Sequence, residues 1–398
     1  EKEKSFMKEL FEESTWQCFR KRSMGLWGHI FTLKPQVPSK QTKKFINELL
    51  NPAKKYSEQM SGVYVDRFQK YFQKQIIKIE NLEHKGNNKL FKISLDKRKN
   101  KNFILKEYST VQTDGWDRGK TEFGFISYFW KRGLRNIPEP IVYDENEHIG
   151  VYSFVKGKKL ASKELKKEDI IEIANFLSKV YQAPAEDKKK FGLAKEACLT
   201  LNDYIKIIDN RITNIINYSP SGKNGRRARD FLDREIIPLA EKIKQDFYRN
   251  SLNFNEELSI DEQVIIPGDF GFHNCLVSPK GHFLLDFEYS GRDDPIRQVS
   301  HFIHQDSSKE IEKELIKFFL EECKKKLNIP DFEEKLKRID ALVAMDWVLH
   351  YLNVLKPDFI KHLQFAHEGD QDYIENLIED RLNKAEFKLN LLKNSLNI

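Results

Sequence analysis

Three polar residues near position 270 have the types and spacing of a phosphoryl-transfer site. Asp269 is followed five positions later by Asn274, and Asp286 comes twelve positions after Asn274, at the end of an apolar segment. An aspartate can orient a substrate hydroxyl and accept its proton. Carboxylate and amide oxygens are the ligands that Mg²⁺ takes beside nucleotide phosphates. The alternative without chemistry is an Asx-rich turn followed by an aspartate at the end of a strand.

Two further residues lie beside this set. Glu288 comes two positions after Asp286, so in an extended chain both side chains point the same way. We expect Glu288 to bind a second Mg²⁺ or a cationic substrate group, with a surface ion pair as the alternative. His273 directly precedes Asn274, and neighbours in an extended strand face opposite sides. We therefore expect His273 to be packed or bonded to the backbone rather than catalytic.

The first half of the chain must supply the elements that position these residues. Residues 62–74 have helical periodicity, and a strand-rich stretch follows them. The predicted helix Arg118–Arg132 stops before Gly133 and has apolar residues at helical spacing. The strands are predicted at Gln75–Asn81, Leu90–Leu95, Asn102–Tyr108, 139–144 and 148–155.

The second half of the chain is predicted to be mostly helical. The helical pattern covers about 160–250, with a Ser-, Pro- and Gly-containing loop at 219–227. Short strands are expected at 264–266, 275–278 and 282–286, and helix from Pro295 onward. Asp294 is expected to cap the helix that begins at Pro295, since proline favours the first helical position.

Composition excludes several classes of protein. The 398 residues carry a net charge of +7, from 68 Lys and Arg against 61 Asp and Glu. This bias fits an anionic ligand but is weaker than a dedicated nucleic-acid binder shows. No apolar run reaches the length of a membrane span, and no secretory signal is visible. The four cysteines form no CxxC pair, so we expect no zinc or disulfide framework and a reducing, cytoplasmic location.

The motifs around Asp269 and Asp286 resemble one known family. The stretch PGDFGFHN, at 267–274, is similar to an SDFGFHN-type catalytic loop found in bacterial kinase-like phosphotransferases, the aminoglycoside phosphotransferase and choline kinase superfamily. The stretch LLDFEYSGRDDP, at 284–295, resembles the metal-binding segment of that superfamily. The resemblance implies that Asp269 is the catalytic base and that Asn274, Asp286 and Glu288 hold Mg²⁺.

The earlier part of the chain carries matching features in the same order. Gly86, Asn87 and Asn88 resemble the phosphate loop of the family, and Lys106 resembles the strand lysine that contacts the α- and β-phosphates. The resemblance makes Glu122 the ion-pair partner of Lys106. It makes Ser153–Val155 the hinge that holds adenine. Alone, each of these features is weak, because a turn and a snorkelling strand lysine are common.

The resemblance covers about residues 62–398 and implies a fold. We expect an α+β, protein-kinase-like bilobal structure. It would have a helical extension of unknown role at 1–60, a nucleotide-binding lobe at 61–156 with a small antiparallel sheet and one helix, and a mainly helical lobe at 157–398 with the catalytic loop and the acceptor pocket. The implied activity is transfer of a phosphoryl group from ATP, or GTP, to a hydroxyl of a small molecule.

Two departures from the family pattern bear on this prediction. Pro267 replaces the usual histidine of the loop, and proline removes a backbone donor. Arg297-Gln298-Val299 stands where many aminoglycoside phosphotransferases carry Asp-Leu-Ala, which weakens the case for an antibiotic acceptor. Only eight residues separate Asp286 from Pro295, which leaves no room for the activation loop with which a protein kinase docks a peptide.

Two other functions stay open at this point. A pseudokinase that serves as a scaffold would explain Pro267 and the incomplete glycine loop. An RNA-directed phosphotransferase would use the basic stretches Asp96–Lys101, Lys188–Lys190 and Lys223–Arg229. The presence of Lys106, Glu122 and the aspartates argues against a pseudokinase. The basic stretches are equally explained as ordinary solvated loops, which argues against an RNA-directed enzyme.

Overall fold

The computed structural model describes seven segments of the chain. They are residues 64–82, 88–95, 101–109, 115–217, 223–250, 253–356 and 371–398. The chain divides into two units, residues 1–73 and residues 74–398. In the first unit, residues 64–68 are helical and continue into a 3₁₀ turn at Gln69–Tyr71, in agreement with the predicted helix. The predicted extension at 1–60 lies outside the described residues.

Five antiparallel strands form the sheet at the start of the second unit. In β2 and β3, Phe91, Ile93, Phe103 and Leu105 are buried at every second position, which is the pattern of a strand with one face in the core. The strands are paired in the order β1-β2-β3-β5-β4. Their bounds are β1 Lys78–Leu82, β2 Lys89–Ser94, β3 Asn102–Glu107, β4 Pro140–Asp144 and β5 Ile149–Ser153. The five strands predicted for this region are confirmed, with small shifts at their ends.

One helix, α1 (Arg118–Lys131), follows β3 and lies against β4 and β5. It begins where the Asp117 side chain accepts a hydrogen bond of 2.8 Å from the Lys120 backbone, which satisfies one of the free amides of the first turn. It ends just before Gly133, whose φ of 90° is readily adopted only by glycine. The helix buries its apolar face together with Glu122.

The remaining helices form the larger part of the second unit. They are α2 Lys167–Tyr181, α3 Ala185–Lys188, α4 Leu201–Ile216, α5 Lys223–Phe231, α6 Ile237–Asn250, α7 Pro295–His304, α8 Lys313–Lys326, α9 Phe332–Tyr351 and α10 Gln371–Ser395. A π-helical segment, Leu232–Ile236, joins α5 to α6. It lies immediately before Pro238, which lacks an amide hydrogen and disturbs regular helix. Within the described residues no helix is long and apolar enough to cross a membrane.

The predicted loop at 219–227 is wrong in its second half. Lys223–Phe231 is helical, and Arg227 forms hydrogen bonds of 2.8 Å from its Nη2 to both carboxylate oxygens of Glu386 on α10. Ala228 and Phe231 are buried. Tertiary contacts therefore override the weak helix propensity of the local sequence, which contains Gly225. Residues 218–222 lie outside the described part of the chain.

Two short ribbons hold the segments that carry Asp269 and Asp286. The strand β6 (Val264–Ile266) pairs with β9 (Gly291–Asp293), and β7 (Cys275–Ser278) pairs with β8 (Gly281–Leu284). β9 is not predicted from the sequence, because it has only three residues and all of them are charged or glycine. The chain between β6 and β7 and the chain between β8 and β9 are consequently brought side by side.

Candidate active site

The amine of Lys106 lies at the centre of a cluster of carboxylates. Its Nζ is 2.7 Å from Oε2 of Glu122, 2.8 Å from Oδ1 of Asp286 and 3.4 Å from Oε2 of Glu288. Lys106 is on the opposite face of β3 from the core residue Leu105, yet it is only 7% exposed. Burial alone would lower the pKa of Lys106, but these carboxylates raise it well above its ordinary value. The lysine is therefore charged at any physiological pH.

Glu122 is held by more than the lysine. Oε2 also accepts a 2.7 Å hydrogen bond from the hydroxyl of Tyr108, and that hydroxyl lies 2.8 Å from the hydroxyl of Tyr152. Oε1 accepts from the backbone amide of Phe287 at 3.4 Å. The sequence predicts the pair of Lys106 and Glu122 but not the two tyrosines, which come from different strands.

Glu288 is enclosed by donors from the smaller sheet region. Oε1 accepts a 3.0 Å hydrogen bond from Arg118, and Oε2 accepts a 2.6 Å hydrogen bond from the amide of Asn88. The indole of Trp116 donates to the backbone oxygen of Glu288 at 2.8 Å. The Glu288 carboxylate thus forms buried ion pairs with Arg118 and Lys106, which differ from the surface ion pair that was the alternative. Arg118 and Trp116 are contacts that sequence reasoning missed, because nothing in their local sequence distinguishes them from helix-start residues.

The backbone near Asp286 is tied to the loop that carries Asn274. The amide of Leu285 donates to the carbonyl oxygen of Asn274 at 2.9 Å. Asp286 itself has a φ of 66°, in the left-handed region that residues other than glycine seldom adopt. Gly268 also has a positive φ, of 88°, and a Cβ there would lie 2.8 Å from the carbonyl carbon of Tyr289. The two segments can approach this closely only because position 268 is glycine.

Asp269 is bound by the residues that follow it. Nε2 of His273 lies 2.9 Å from its Oδ1, and the amide of Asn274 donates to its backbone oxygen at 2.9 Å and to Oδ2 at 3.2 Å. Desolvation in the cleft would raise the pKa of Asp269, but the hydrogen bonds from His273 and Asn274 hold that pKa below its ordinary value. Asp269 is therefore ionised at neutral pH and still 42% exposed.

The expectation that His273 faces away from the site and bonds to the backbone is wrong. Residues Phe272–Asn274 form a 3₁₀ turn rather than an extended strand, so His273 and Asp269 lie on the same side of the turn. The other ring nitrogen, Nδ1, lies 2.9 Å from the hydroxyl of Ser307. The imidazole therefore bridges the Asp269 carboxylate and a serine from the larger helical region.

A column of aromatic rings connects the two aspartates. Phe287, directly after Asp286, stacks on Phe125 of α1 with ring centroids 4.5 Å apart. Phe176 of α2 stacks on Phe287 at 6.1 Å and on Phe270, directly after Asp269, at 6.1 Å. Phe287 and Phe270 are fully buried. Packing in the core thus fixes the positions of both acidic side chains.

The remaining predicted site residues lie at the ends of strands of the sheet. Asn88 is buried, and its Oδ1 accepts a 3.2 Å hydrogen bond from the Ser109 amide, whereas Gly86 and Asn87 lie outside the described residues. Ser153 ends β5, and its hydroxyl accepts from the Glu139 amide at 2.8 Å. Val155 follows in the segment that leads to the helical region.

Hard oxygen donors in this region suit a divalent cation such as Mg²⁺. The carboxylates of Glu122, Asp286 and Glu288 each offer an oxygen within 4.8 Å of the others. Asp286 has the most exposed side chain of the three, at 28%, while those of Glu122 and Glu288 are 6% and 7% exposed and engaged by protein donors. Asn274 donates through its nitrogen, which leaves its Oδ1 as the atom suited to a metal.

A second group of polar residues connects α4, α7 and α9. Arg211 of α4 donates from Nε to Asp346 of α9, and Nε2 of His301 is 4.0 Å from the same carboxylate. His350, one turn after Asp346, is close enough to Asp269 to help lower its pKa. Burial and Arg297 lower the pKa of His301, and burial and Arg211 lower that of His350, so both rings are neutral at pH 7.

Comparisons with known proteins agree with this arrangement at the level of the fold. No protein-family model matches the sequence, and no curated protein matches it. Spectinomycin phosphotransferase in complex with ADP and spectinomycin is similar in structure, with a TM-score of 0.60 and 11% identity over 84% of this chain and 98% of that chain. The choline kinase of Cryptosporidium parvum gives a TM-score of 0.55 and 13% identity, over 84% and 96% of the two chains.

A third solved structure is the ternary complex of streptomycin, ATP and APH(2")-IIa. It has a TM-score of 0.51 and 14% identity, and covers 72% of this chain and 88% of that chain. At such low identities the similarity establishes the fold. The chain has the α+β, protein-kinase-like fold of these phosphotransferases and choline kinases, as the sequence motifs predict.

Proposed function

We propose that this chain is a phosphotransferase that moves the γ-phosphoryl group of ATP, or of GTP, to a hydroxyl of a small molecule. The observation that carries the proposal is the buried contact of Lys106 with both Glu122 and Asp286. It joins a cation for phosphate, the glutamate that fixes it, and a carboxylate suited to a metal in one site. We propose with it the division into a nucleotide-binding lobe at 61–156 and a helical acceptor lobe at 157–398.

The nucleotide would lie against the sheet. Lys106 would contact the α- and β-phosphates, with Gly86, Asn87 and Asn88 as the phosphate loop. Ser153 and Val155 would hold adenine through the backbone at the end of β5. Support comes from the similar solved structures: spectinomycin phosphotransferase was solved in complex with ADP, and APH(2")-IIa in a ternary complex with streptomycin and ATP.

Asn274, Asp286 and Glu288 are the residues that would hold Mg²⁺. When bound there, the ion would neutralise charge on the phosphates. Glu288 would act mainly by holding Arg118 and Asn88 in place, since both of its oxygens are occupied by them and by Lys106. Asp286 is the more exposed ligand and is the one whose loss should matter most.

Asp269 would orient the acceptor hydroxyl and take its proton. Two features support this role: its carboxylate is ionised, and it is half-exposed at the start of a loop fixed by His273 and Asn274. A positioned base must be within hydrogen-bond reach of the hydroxyl. Oδ2 of Asp269 accepts a 3.2 Å hydrogen bond from Asn274 and keeps a second lone pair for a substrate. Pro267 does not disturb this arrangement, because the following turn is built by Gly268 and the carboxylate contacts.

The acceptor would be small. The eight residues between Asp286 and Pro295 include strand β9 and Asp294. The side chain of Asp294 accepts a 3.0 Å hydrogen bond from the Ile296 amide and caps the helix that follows. That confirms the predicted cap and leaves no segment for docking a peptide. Amino alcohols, sugars and aminoglycoside-like compounds are the acceptor classes to screen.

The test is ADP release from MgATP in the presence of such an acceptor panel, for the wild-type chain and Asp269→Asn. The substitution should cut turnover by about 10²-fold or more, the scale of a positioned base, with nucleotide affinity preserved. Lys189→Gln, at an exposed site, is the control and should change neither quantity. Equal turnover in wild type and Asp269→Asn would remove Asp269 as the base.

A further inference from the structure

A cavity of about 270 Å³ opens in the mainly helical region, the part of the chain proposed to bind the acceptor. Its wall is formed by the segment before α4, by one face of α4, and by the residue that follows the short turn after α9. The polar side chains that line it include Glu196, Asp203, Lys206, Asn210, Arg211 and Lys356. The volume fits a group about the size of a monosaccharide, below the range of drug-sized sites.

The carboxylates of this cavity are already paired with protein donors. Oδ1 of Asp203 accepts from Lys206 at 2.8 Å, and Oδ2 accepts from the Thr200 amide at 2.8 Å. Oε2 of Glu196 accepts from Nη2 of Arg211 at 2.7 Å. A cationic ligand group that binds one of these carboxylates would compete with the protein donors for it.

Lys356 has no such partner. In the described part of the chain its amine forms no ion pair or hydrogen bond, although the side chain is partly buried and lines the cavity. Burial and the nearby charge of Arg211 lower the pKa of Lys356, and the carboxylate of Glu196 offsets them only in part. An ammonium group in this position is destabilised unless an anion compensates it, and a ligand can supply that anion.

The cavity is connected to the proposed catalytic residue through α9. Arg211 lines the cavity and also bonds Asp346. His350 lies one helical turn further along α9, and the next residue, Tyr351, donates a 2.7 Å hydrogen bond to Asp306. Asp306 directly precedes Ser307, whose hydroxyl contacts the His273 ring that lies against Asp269. A molecule that extends from Lys356 along Arg211 and His350 would therefore bring its far end toward Asp269.

We infer that this cavity binds the anionic group of the acceptor, so that the acceptor class is a hydroxylated carboxylate or phosphate ester rather than an amine. The inference rests on the proposed phosphotransferase function in so far as it identifies the ligand as the acceptor. Binding of an anion in the cavity does not depend on that function. Lys356 binds the anion directly, and the amide of Asn210 offers a donor and an acceptor for neighbouring hydroxyls.

The experiment uses three hexoses of the same size and different charge. Glucuronate, glucose and glucosamine are titrated calorimetrically into the full chain without nucleotide. Glucuronate should bind about tenfold more tightly than glucosamine, the scale of one hydrogen bond to a charged group, with glucose between them. The salt dependence of glucuronate binding should exceed that of glucose.

Three variants locate the effect. Lys356→Gln should abolish the preference for glucuronate, and Lys356→Arg should keep most of it because the charge remains. Lys206→Gln removes the same formal charge from the wall of the cavity. Because the amine of Lys206 already donates a hydrogen bond to Asp203, most of the preference for glucuronate should remain in this variant. Folding is monitored by thermal unfolding, which Lys356→Gln should leave unchanged, since no partner is lost.

Three outcomes overturn the inference. The first is glucosamine binding as tightly as glucuronate, and the second is no binding of glucuronate at millimolar concentration. The third is an equal loss of preference in Lys206→Gln and Lys356→Gln, which would mean a general charge effect. Because no nucleotide is present, none of these outcomes bears on ATP binding, and a chain that fails to bind ATP can still show the anion preference.

Discussion

Nε2 of His273 lies 2.9 Å from Oδ1 of Asp269, and the same ring is held from behind by the hydroxyl of Ser307. A carboxylate with one oxygen fixed in this way can present its other oxygen to a substrate in one orientation. The loop that carries Asp269 is thereby linked to the helical region that would bind the acceptor. His273 is a positioning residue in this account.

The substitution His273→Ala should lower kcat by about 10- to 100-fold, because a small misplacement of a reacting group has effects of that size. The KM for nucleotide should stay the same, since His273 does not touch the Lys106 cluster. Steady-state ADP release measures both. Ser307→Ala, which leaves the bond between His273 and Asp269 in place, is the matched control with a smaller loss. A rise in nucleotide KM without a fall in kcat would contradict the positioning role.

The substitution Glu122→Gln should destabilise the protein by about 1–3 kcal/mol, because it removes one carboxylate from a buried lysine that keeps two others. Chemical denaturation followed by circular dichroism measures the free energy of unfolding. The exposed pair of Glu186 and Lys189, 2.7 Å apart, is the control, and Glu186→Gln should change stability by less than about 0.5 kcal/mol. Equal effects of the two substitutions would mean that the Lys106 cluster is not a buried network.

The substitution Phe176→Ala should remove about 3–5 kcal/mol of stability, because it leaves a cavity between Phe270 and Phe287. It should also lower turnover, since each aspartate directly precedes a ring that stacks on Phe176. Phe387→Ala provides the control: this ring is 46% exposed, and its loss should have little effect on unfolding or turnover. If the Phe176→Ala protein were destabilised but kept wild-type turnover at low temperature, the claim that the aromatic column positions the two aspartates would be contradicted.

Asp294 gives a pH dependence with a definite sign. Burial, together with the neighbouring Asp293, raises the pKa of Asp294 to about 6 from 3.8, while Ile296 and Tyr204 oppose the rise with hydrogen bonds. Because the folded protein holds this proton more tightly than the unfolded chain, the contribution of Asp294 to stability falls as pH rises from about 4 to 6, by at most about 3 kcal/mol. Asp294→Asn should therefore gain stability relative to wild type over that range, as measured by urea unfolding at several pH values. A constant difference between the two proteins from pH 4 to 7 would contradict the raised pKa.

The sequence predicts the fold and the order of the site residues because each lies in a local pattern. Alternating strands, a capped helix and the spacing of Asp269, Asn274 and Asp286 are all readable within short windows. The turn that places His273 against Asp269 is not readable in this way, because the apolar pattern of three residues does not distinguish a 3₁₀ turn from an extended strand.

Contacts between distant segments account for the other differences. Arg118 and Trp116 contact Glu288 from 170 and 172 residues away in the sequence, and Arg211 contacts Asp346 from 135 residues away. Such pairs depend on how helices and strands pack, which a single sequence does not specify at the level of individual side chains. The helix at Lys223–Phe231 is a further case, because α10 stabilises it from outside.

Calorimetric titration of the chain with ATP, in the presence and absence of Mg²⁺, tests the central claim most directly. We predict binding in the micromolar to millimolar range that requires Mg²⁺ and that is weakened in Asp286→Asn, with GTP titrated in parallel to identify the donor. Absence of binding for both nucleotides with Mg²⁺ present, in a chain that unfolds cooperatively, would contradict the phosphotransferase account and favour a scaffold that keeps the fold without the chemistry.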